Sequence, residues 1–557
     1  MQQKLSKKHF HAEYQAKKGS KMTYFTHPKI FTGEANKPFA SVMGIDENGA
    51  IAYLADSLPE GVSAVQALPG AMVLPALIDS HTHPDYVAAN LDRLITLPPL
   101  IKSIEDIVQG LKQHKNFERK DLKTGEWIWL EGFGYDEAVL KERRSPTCED
   151  LDRVSLQQPV VCYHSSGHII ACNSAALRLA GIDKNSKDPA GGQIGRFANG
   201  EPNGILYEPA AQNLLTDRAP KPDIEVLAAQ MAKLGKHYAR LGVCELSDLY
   251  CMDKSYCRYD MYKRAAQLGF AQGISLYYLF EDLLERNVKS IPDSQKRGQV
   301  RIAGVKMFID GSIAGKTAYM LHNYPNEEHR GMKVIDEANL AKAVDFCRAN
   351  NVQLAIHTMG DASVLFLVEQ LEKLEPWPCG EAGDAPCIRI EHASLISDAL
   401  LERMQKASMS FALAPQVLFL YAEYAAYRAA LNDELLARAY AAKSYDNYLL
   451  TSLSSDAPAT LWADPENLFH SLQASVTRIG ASGEDMNKNE ALDPKRAWEM
   501  HSLQGALICG REKLGALRMG YRGNFIAVDR DIFDLSLAHE LGQSKVLATY
   551  IGGKSQL

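Results

Sequence analysis

The stretch ALIDSHTHPDY, residues 76–86, decides how the rest of the chain is read. It follows the apolar run AMVLP and sets Asp79, His81 and His83 at alternate positions. In a β-strand, alternate side chains face the same way. Three ligand-capable groups therefore leave one face at the end of a buried strand. Stranding them there without partners is costly, so this strand end reads as a place that holds something.

Seven further apolar runs complete a set of eight candidate strands: GVCELSDL, GISLYYLF, RIAGVKMFIDG, VQLAIHTMGD, IRIEHAS, MSFALAP and LLTSLSSDAP. Helix-length segments such as ASVLFLVEQLEKL and DALLERMQKA follow several of them. Strands alternating with helices predict an α/β fold, and eight such units predict a (β/α)8 TIM-type barrel. The gap from about Pro84 to Arg240 is too long for an ordinary connection. It predicts an inserted cap region, 84–240, after the first barrel strand. Short strands broken by turns occupy both chain ends, with a hairpin signal at Asp46–Gly49. These ends predict a small β-sandwich from 23–72 plus 513–557, with 73–512 as the barrel and 1–22 as a flexible tail.

The chain has 557 residues, net charge -7 and 23% charged residues. That balance fits a folded enzyme acting on a small-molecule substrate. It argues against nucleic acid or an anionic membrane as partner, because both need a basic footprint. The ten cysteines form no CxxC pair and read as reduced core thiols. With no signal-like leader and no transmembrane-length segment, the expected location is cytoplasmic. The sequence leaves the oligomeric state open, a homodimer being one possibility.

In such barrels, reactive groups sit where the strands end. The ends carry His81 and His83 on strand one, Lys306 on four, His357 on five, His392 on six and Asp456 on eight. Neutral imidazoles and a carboxylate suit zinc. A buried lysine loses its proton readily, and its free amine can take up carbon dioxide as a carbamate able to bridge two metals. The expected site holds two zinc ions: His81, His83 and Asp456 on one, His357 and His392 on the other, Lys306 between. A metal-bridging hydroxide is a nucleophile at neutral pH, and Asp456 would move its proton.

Asp79 is expected behind the ligands, orienting one of them; a hydrogen bond to local backbone is the simpler alternative. His164 and His168 in HSSGH could touch substrate or merely fix a turn at Gly167. Tyr86, Phe133, Tyr135, Phe308 and Tyr319 could line an apolar pocket or pack. Asp310 could contact substrate or support Lys306. Two other readings compete with the two-metal hydrolase. One is a deaminase of an amino-substituted heterocycle, using one metal on His81, His83, His357 and Asp456. The other is a scaffold that kept the barrel and lost the chemistry.

These residues lie in stretches by which the chain resembles the amidohydrolase superfamily, and within it the amidohydrolase-3 group that includes N-substituted formamide deformylases. LPALIDSHTH, EGFGYDE, HSSGHIIACNSAAL, GEPNGILYE, VKMFIDGS, RIEHAS, SSDAP and DPENLFHSLQASVTR carry the resemblance. It implies a metal-bearing barrel with a flanking β-sandwich. It also implies hydrolysis of an amide-type C–N bond, of the N-formyl or N-acyl amine class, with the same ligand roles. Ala76 replaces a usual glycine, Asn524 departs from a usual Gly-x-x-Ala-Asp, and Lys316 stands where an arginine is common in the DGS loop. The last bears on substrate selection.

Overall fold

The computed structural model describes residues 21–557 except 35, 92, 98–100, 123, 138–139, 166–168, 190–191, 220–222 and 254–255. Two compact units emerge. One comprises residues up to Pro84, Ile224–Ala459 and Ala463–Leu557; the other comprises Asp85–Asp223 with Thr460–Trp462.

In the first unit the chain opens with β1 (Met22–Phe31), β2 (Phe39–Asp46), β3 (Ile51–Ala55), β4 (Val65–Ala67) and β5 (Met72–Pro75). The β2–β3 hairpin turns where the sequence predicted. Asp46 Oδ1 accepts from the backbone of Asn48 and Ala50, each at 2.9 Å, and Gly49 adopts φ +82°. That left-handed backbone costs glycine little.

The first parallel strand, β6 (Leu77–Thr82), leads into the second unit. There β7 (Leu94–Ile95), β8 (Leu130–Tyr135), β9 (Val160–His164), β10 (Ile169–Cys172), β11 (Gln193–Arg196) and β12 (Pro202–Tyr207) form one six-stranded sheet. Its two faces bury separate clusters. One gathers Ile107, Leu111, Leu130 and Val160; the other gathers Val161, Ile170, Leu206 and Leu215.

The helix Ile224–Arg240 returns the chain to the first unit. Gln272 Nε2 donates to Gly235 O (2.8 Å) and Thr549 Oγ1 to Ala239 O (2.7 Å), so this helix is fastened to the barrel unit. Then come β13 (Val243–Cys251), β14 (Gly273–Leu279), β15 (Val300–Phe308), β16 (Gln353–Thr358), β17 (Ile388–His392), β18 (Phe411–Pro415) and β19 (Leu450–Thr451). With β6 they make an eight-stranded, all-parallel sheet of TIM-barrel type in sequential order. The segment after β19 bonds to the end of β6: Asp456 N–H donates to His81 O at 2.8 Å, and His83 N–H to Ala457 O at 2.9 Å.

The chain closes with β20 (Phe525–Val528), β21 (Val546–Ile551) and β22 (Lys554–Ser555). β20 pairs antiparallel with β5, so both ends of the chain share one eight-stranded sheet. Phe25, Ile45, Val73, Leu517 and Phe525 pack beside it. Asn524 is buried here. Its side-chain oxygen accepts from Gly552 N–H at 2.7 Å and its carbonyl from Ala76 N–H at 3.1 Å, a purely structural employment. All ten cysteines are free thiols, nine of them buried. Among the described residues, no helix is long and apolar enough to cross a membrane.

Candidate metal centre

Strand alternation does not by itself deliver every side chain of the site. Glu391 and His392 are neighbours on β17, and a regular strand would send them to opposite faces. His392 instead adopts φ +66° and Ala393 φ +46°, a conformation that costs a residue with a β-carbon about 1–3 kcal/mol. The reversal brings both to the same place. Glu391 Oε2 lies 2.6 Å from His81 Nδ1, and the His392 ring lies 5.1 Å from that of His81 and 4.2 Å from that of His357. Asp456 is likewise left-handed, at φ +57°.

Around Asp456 the donors converge. Its Oδ1 is 2.8 Å from His83 Nε2 and 3.2 Å from His81 Nε2, and its Oδ2 is 3.8 Å from His392 Nδ1. His81, His392 and Asp456 each offer a ligand atom within 4.8 Å of the others. His81 Nε2 and His392 Nδ1 are buried, yet neither makes a hydrogen bond. Buried polar atoms rarely stay unsatisfied. Two aimed at one carboxylate fit a cation between them, so the residues present fit a divalent metal. His357 stands on the far side of His392. Its Nε2 faces the Gly311 carbonyl at 3.0 Å, which makes Nε2 the N–H donor and leaves Nδ1 as the lone-pair nitrogen.

The charges follow from burial and neighbours. Burial opposes ionisation of Asp456, but His81 and His83 hold its carboxyl well below the usual range. Burial, then the neighbouring His357, pushes His392 well below an ordinary imidazole; burial and Lys306 take His357 down to about 3. For His81, burial is outweighed by Asp456 and Glu391, which raise it. Lys306 is fully buried, its ammonium 4.9 Å from the centre of the Phe308 ring, and burial lowers it to about 8.

Asp79 acts through the backbone. Its carboxylate accepts from Ser455 Oγ (2.5 Å) and Ser455 N–H (3.1 Å), with His81 N–H at 3.4 Å. It therefore ties the end of β6 to the loop that presents Asp456. Burial raises it to about 6 while the Ser455 bonds pull it back. Asp310 gives its oxygens to protein donors: Met359 N–H (3.0 Å), Gly360 N–H (2.7 Å), Tyr319 N–H (3.0 Å) and Ser363 Oγ (2.7 Å). It clasps the loop after β15 to the end of β16. Gly360 is required there, because a Cβ would lie 2.0 Å from Tyr319 O. Lys316 pairs with Glu327 at 2.8 Å, and Tyr319 accepts from Arg330 at 2.9 Å.

In the second unit, Tyr86 is exposed and Tyr135 is buried, the latter edge-on to His164 at 5.1 Å. His164 Nε2 lies 2.9 Å from Glu137, and with Asp136 these form a second group of ligand atoms within 4.8 Å. His168 lies outside the described residues.

A model of the amidohydrolase family matches residues 64–555. The chain belongs to the amidohydrolase family. Among individual relatives, N-substituted formamide deformylase of Arthrobacter pascens is 24% identical over 497 residues, covering 87% of this chain and 88% of that one. LONG AFTER FAR-RED 3 of Arabidopsis thaliana is 25% identical over 555 residues, covering 95% and 90%. A solved structure described as an uncharacterized metal-dependent hydrolase from Pyrococcus horikoshii superposes with a TM-score of 0.73 at 22% identity, covering 93% of this chain and 99% of its own. As an amidohydrolase-family member the chain is a hydrolase, and its donor set supports a divalent metal.

Sequence reading missed Glu391 and its partner Arg389. Arg389 Nε donates to Glu391 Oε1 at 2.8 Å, and both side chains are fully buried. Arg389, with His81 beside it, outweighs burial and lowers the Glu391 carboxyl to about 2. The signal was present in IRIEH: two opposite charges two positions apart in an otherwise apolar strand.

Proposed function

We propose that this chain hydrolyses an amide-type C–N bond in a small N-formyl or N-acyl amine. The observation that carries the reading is the convergence of His81, His83 and His392 on Asp456, with two buried ring nitrogens left without hydrogen bonds. The name of the Arthrobacter pascens relative supports the choice of bond.

In this reading His81, His83 and Asp456 would hold one divalent ion, His357 and His392 would hold a second, and Lys306 would serve both as a carbamate. Bound zinc supplies a lowered pKa for water, roughly 7, and polarises a carbonyl. The chain's own part is to place donors and move a proton. Asp456 accepts the proton of the attacking water and returns it to the leaving nitrogen, which departs as a neutral amine. Asp79, through Ser455, keeps the Asp456 loop against β6. The Asp310 clasp keeps the loop carrying Lys316 against the end of β16, and substrate selection by Lys316 is part of this proposal.

Metal analysis of the purified protein, with turnover of a panel of N-formyl and N-acyl amines, tests this. Two ions per chain, a carboxylated Lys306 by mass spectrometry and release of amine are the expected results. One ion, an unmodified lysine and ammonia released from an aminoheterocycle would replace this reading with a deaminase.

A further inference from the structure

We infer that Glu391, clamped by Arg389, is a positioning residue for His81, and that it makes the two proposed metal positions unequal in affinity. The inference rests on the two-metal reading for its second half only.

A carboxylate can only accept hydrogen bonds. With Glu391 Oε2 2.6 Å from His81 Nδ1, that nitrogen carries the proton. The lone pair is left on Nε2, the atom that faces Asp456. One ring rotamer and one tautomer are thereby selected. Glu391 is itself held in place: Arg389 reaches Oε1 at 2.8 Å and Oε2 at 3.3 Å. The guanidinium is in turn pinned by Ser80 O and by Tyr277 Oη, each at 2.7 Å. Tyr277 Oη donates onward to Gln353 Oε1 at 2.7 Å. The chain of bonds crosses β6, β14, β16 and β17, so His81 is aimed by the rigid part of the barrel and not by a loop.

A fully buried ion pair is a poor stabiliser. Replacing one by apolar side chains of similar volume is often neutral or favourable. Stability therefore does not account for this pair, whereas aiming a ligand does. Acidic partners behind metal-binding histidines raise ligand basicity, and removing them costs about 10–100-fold in metal affinity. His357 is backed more weakly: its Nε2 meets the neutral carbonyl of Gly311 at 3.0 Å, and the nearest carboxylate oxygen, Asp310 Oδ1, stands 3.8 Å away with its hydrogen bonds already taken by Met359, Gly360, Tyr319 and Ser363. The ion on the His81 side should bind more tightly and load first, and the ion on the His357 side should load second.

The test is a zinc titration of demetallated full-length protein against a chromophoric chelator, in wild type, Glu391→Gln and the double variant R389M/E391L. The double variant removes the pair as a unit, so neither member of it is left buried without the other. Folding is checked by circular dichroism. Wild type is expected to bind two ions with separable Kd values. Both variants should weaken the tighter ion about 10–100-fold and leave the weaker one within about threefold. A role in packing alone would weaken both ions alike. A folded double variant that binds its tighter ion with wild-type Kd would overturn the inference, as would equal weakening of both. If wild type binds a single ion per chain, the two-metal reading fails, and the Kd of that ion in the variants still decides the role of Glu391.

Discussion

Asp456→Asn isolates proton transfer from metal binding. Asp456 sits at φ +57°, and asparagine tolerates that backbone about as well as aspartate does, whereas alanine would add strain. The backbone bond from residue 456 to His81 O, at 2.8 Å, does not involve the side chain and survives. The amide oxygen can take the place of Oδ1, 2.8 Å from His83 Nε2. The histidines are untouched, so the metal content is expected to remain. What disappears is a group that can take a proton and hand it back. Loss of a positioned acid–base group costs roughly 10²–10⁴ in rate, or about 2.7–5.4 kcal/mol in the barrel's chemical step at 1.36 kcal/mol per decade. The assay pairs metal quantification with kcat for the best substrate of the amine panel, followed by amine release. A variant holding its metals and turning over at the wild-type rate would remove Asp456 from proton transfer.

Three further outcomes follow from the geometry. Ser455→Ala deletes the 2.5 Å hydroxyl bond to the buried Asp79 carboxylate and should lower stability by about 1.5–3 kcal/mol; a denaturation midpoint equal to wild type would contradict the clasp. Gly360→Ala places a Cβ 2.0 Å from Tyr319 O, so the Asp310 clasp should open and limited proteolysis should cut the 311–335 loop faster; an unchanged digestion pattern would count against it. Chelation should abolish activity and lower the melting temperature, with both restored by zinc; a demetallated preparation working at full rate would sink the metal-dependent reading.

The barrel was legible because its strands are apolar runs alternating with helix-length segments, and strands one, four, five, six and eight stop at ligand-capable groups. All eight runs became the eight parallel strands. The turn at Asp46–Gly49 was legible because its chemistry is local. Glu391 was not, since strand alternation assigns it the face opposite to His392, and only the positive φ of His392 cancels that assignment. Asp310 was ambiguous for a similar reason. Its position in phase with Lys306 left substrate contact and support of the lysine both open, but its partners at Met359, Gly360 and Ser363 lie about fifty residues away in sequence and come near only through β15–β16 pairing. From sequence alone the helix Ile224–Arg240 falls within the inserted region 84–240, whereas it packs with the barrel unit. Its bonds from Gln272 and Thr549 exist only once the chain has folded back on itself.

The shared terminal sheet has a consequence for how the chain is made. β5 is bounded on one side by β1 and on the other by β20, whose residues emerge about 450 positions later; at roughly 5–20 residues per second this is a wait of about 20–90 s. Throughout synthesis the edge of Met72–Pro75 is an open invitation to neighbouring nascent chains. Expression conditions that slow elongation or crowd polysomes should therefore cost soluble yield, and the loss should fall on this seam before it falls on the barrel.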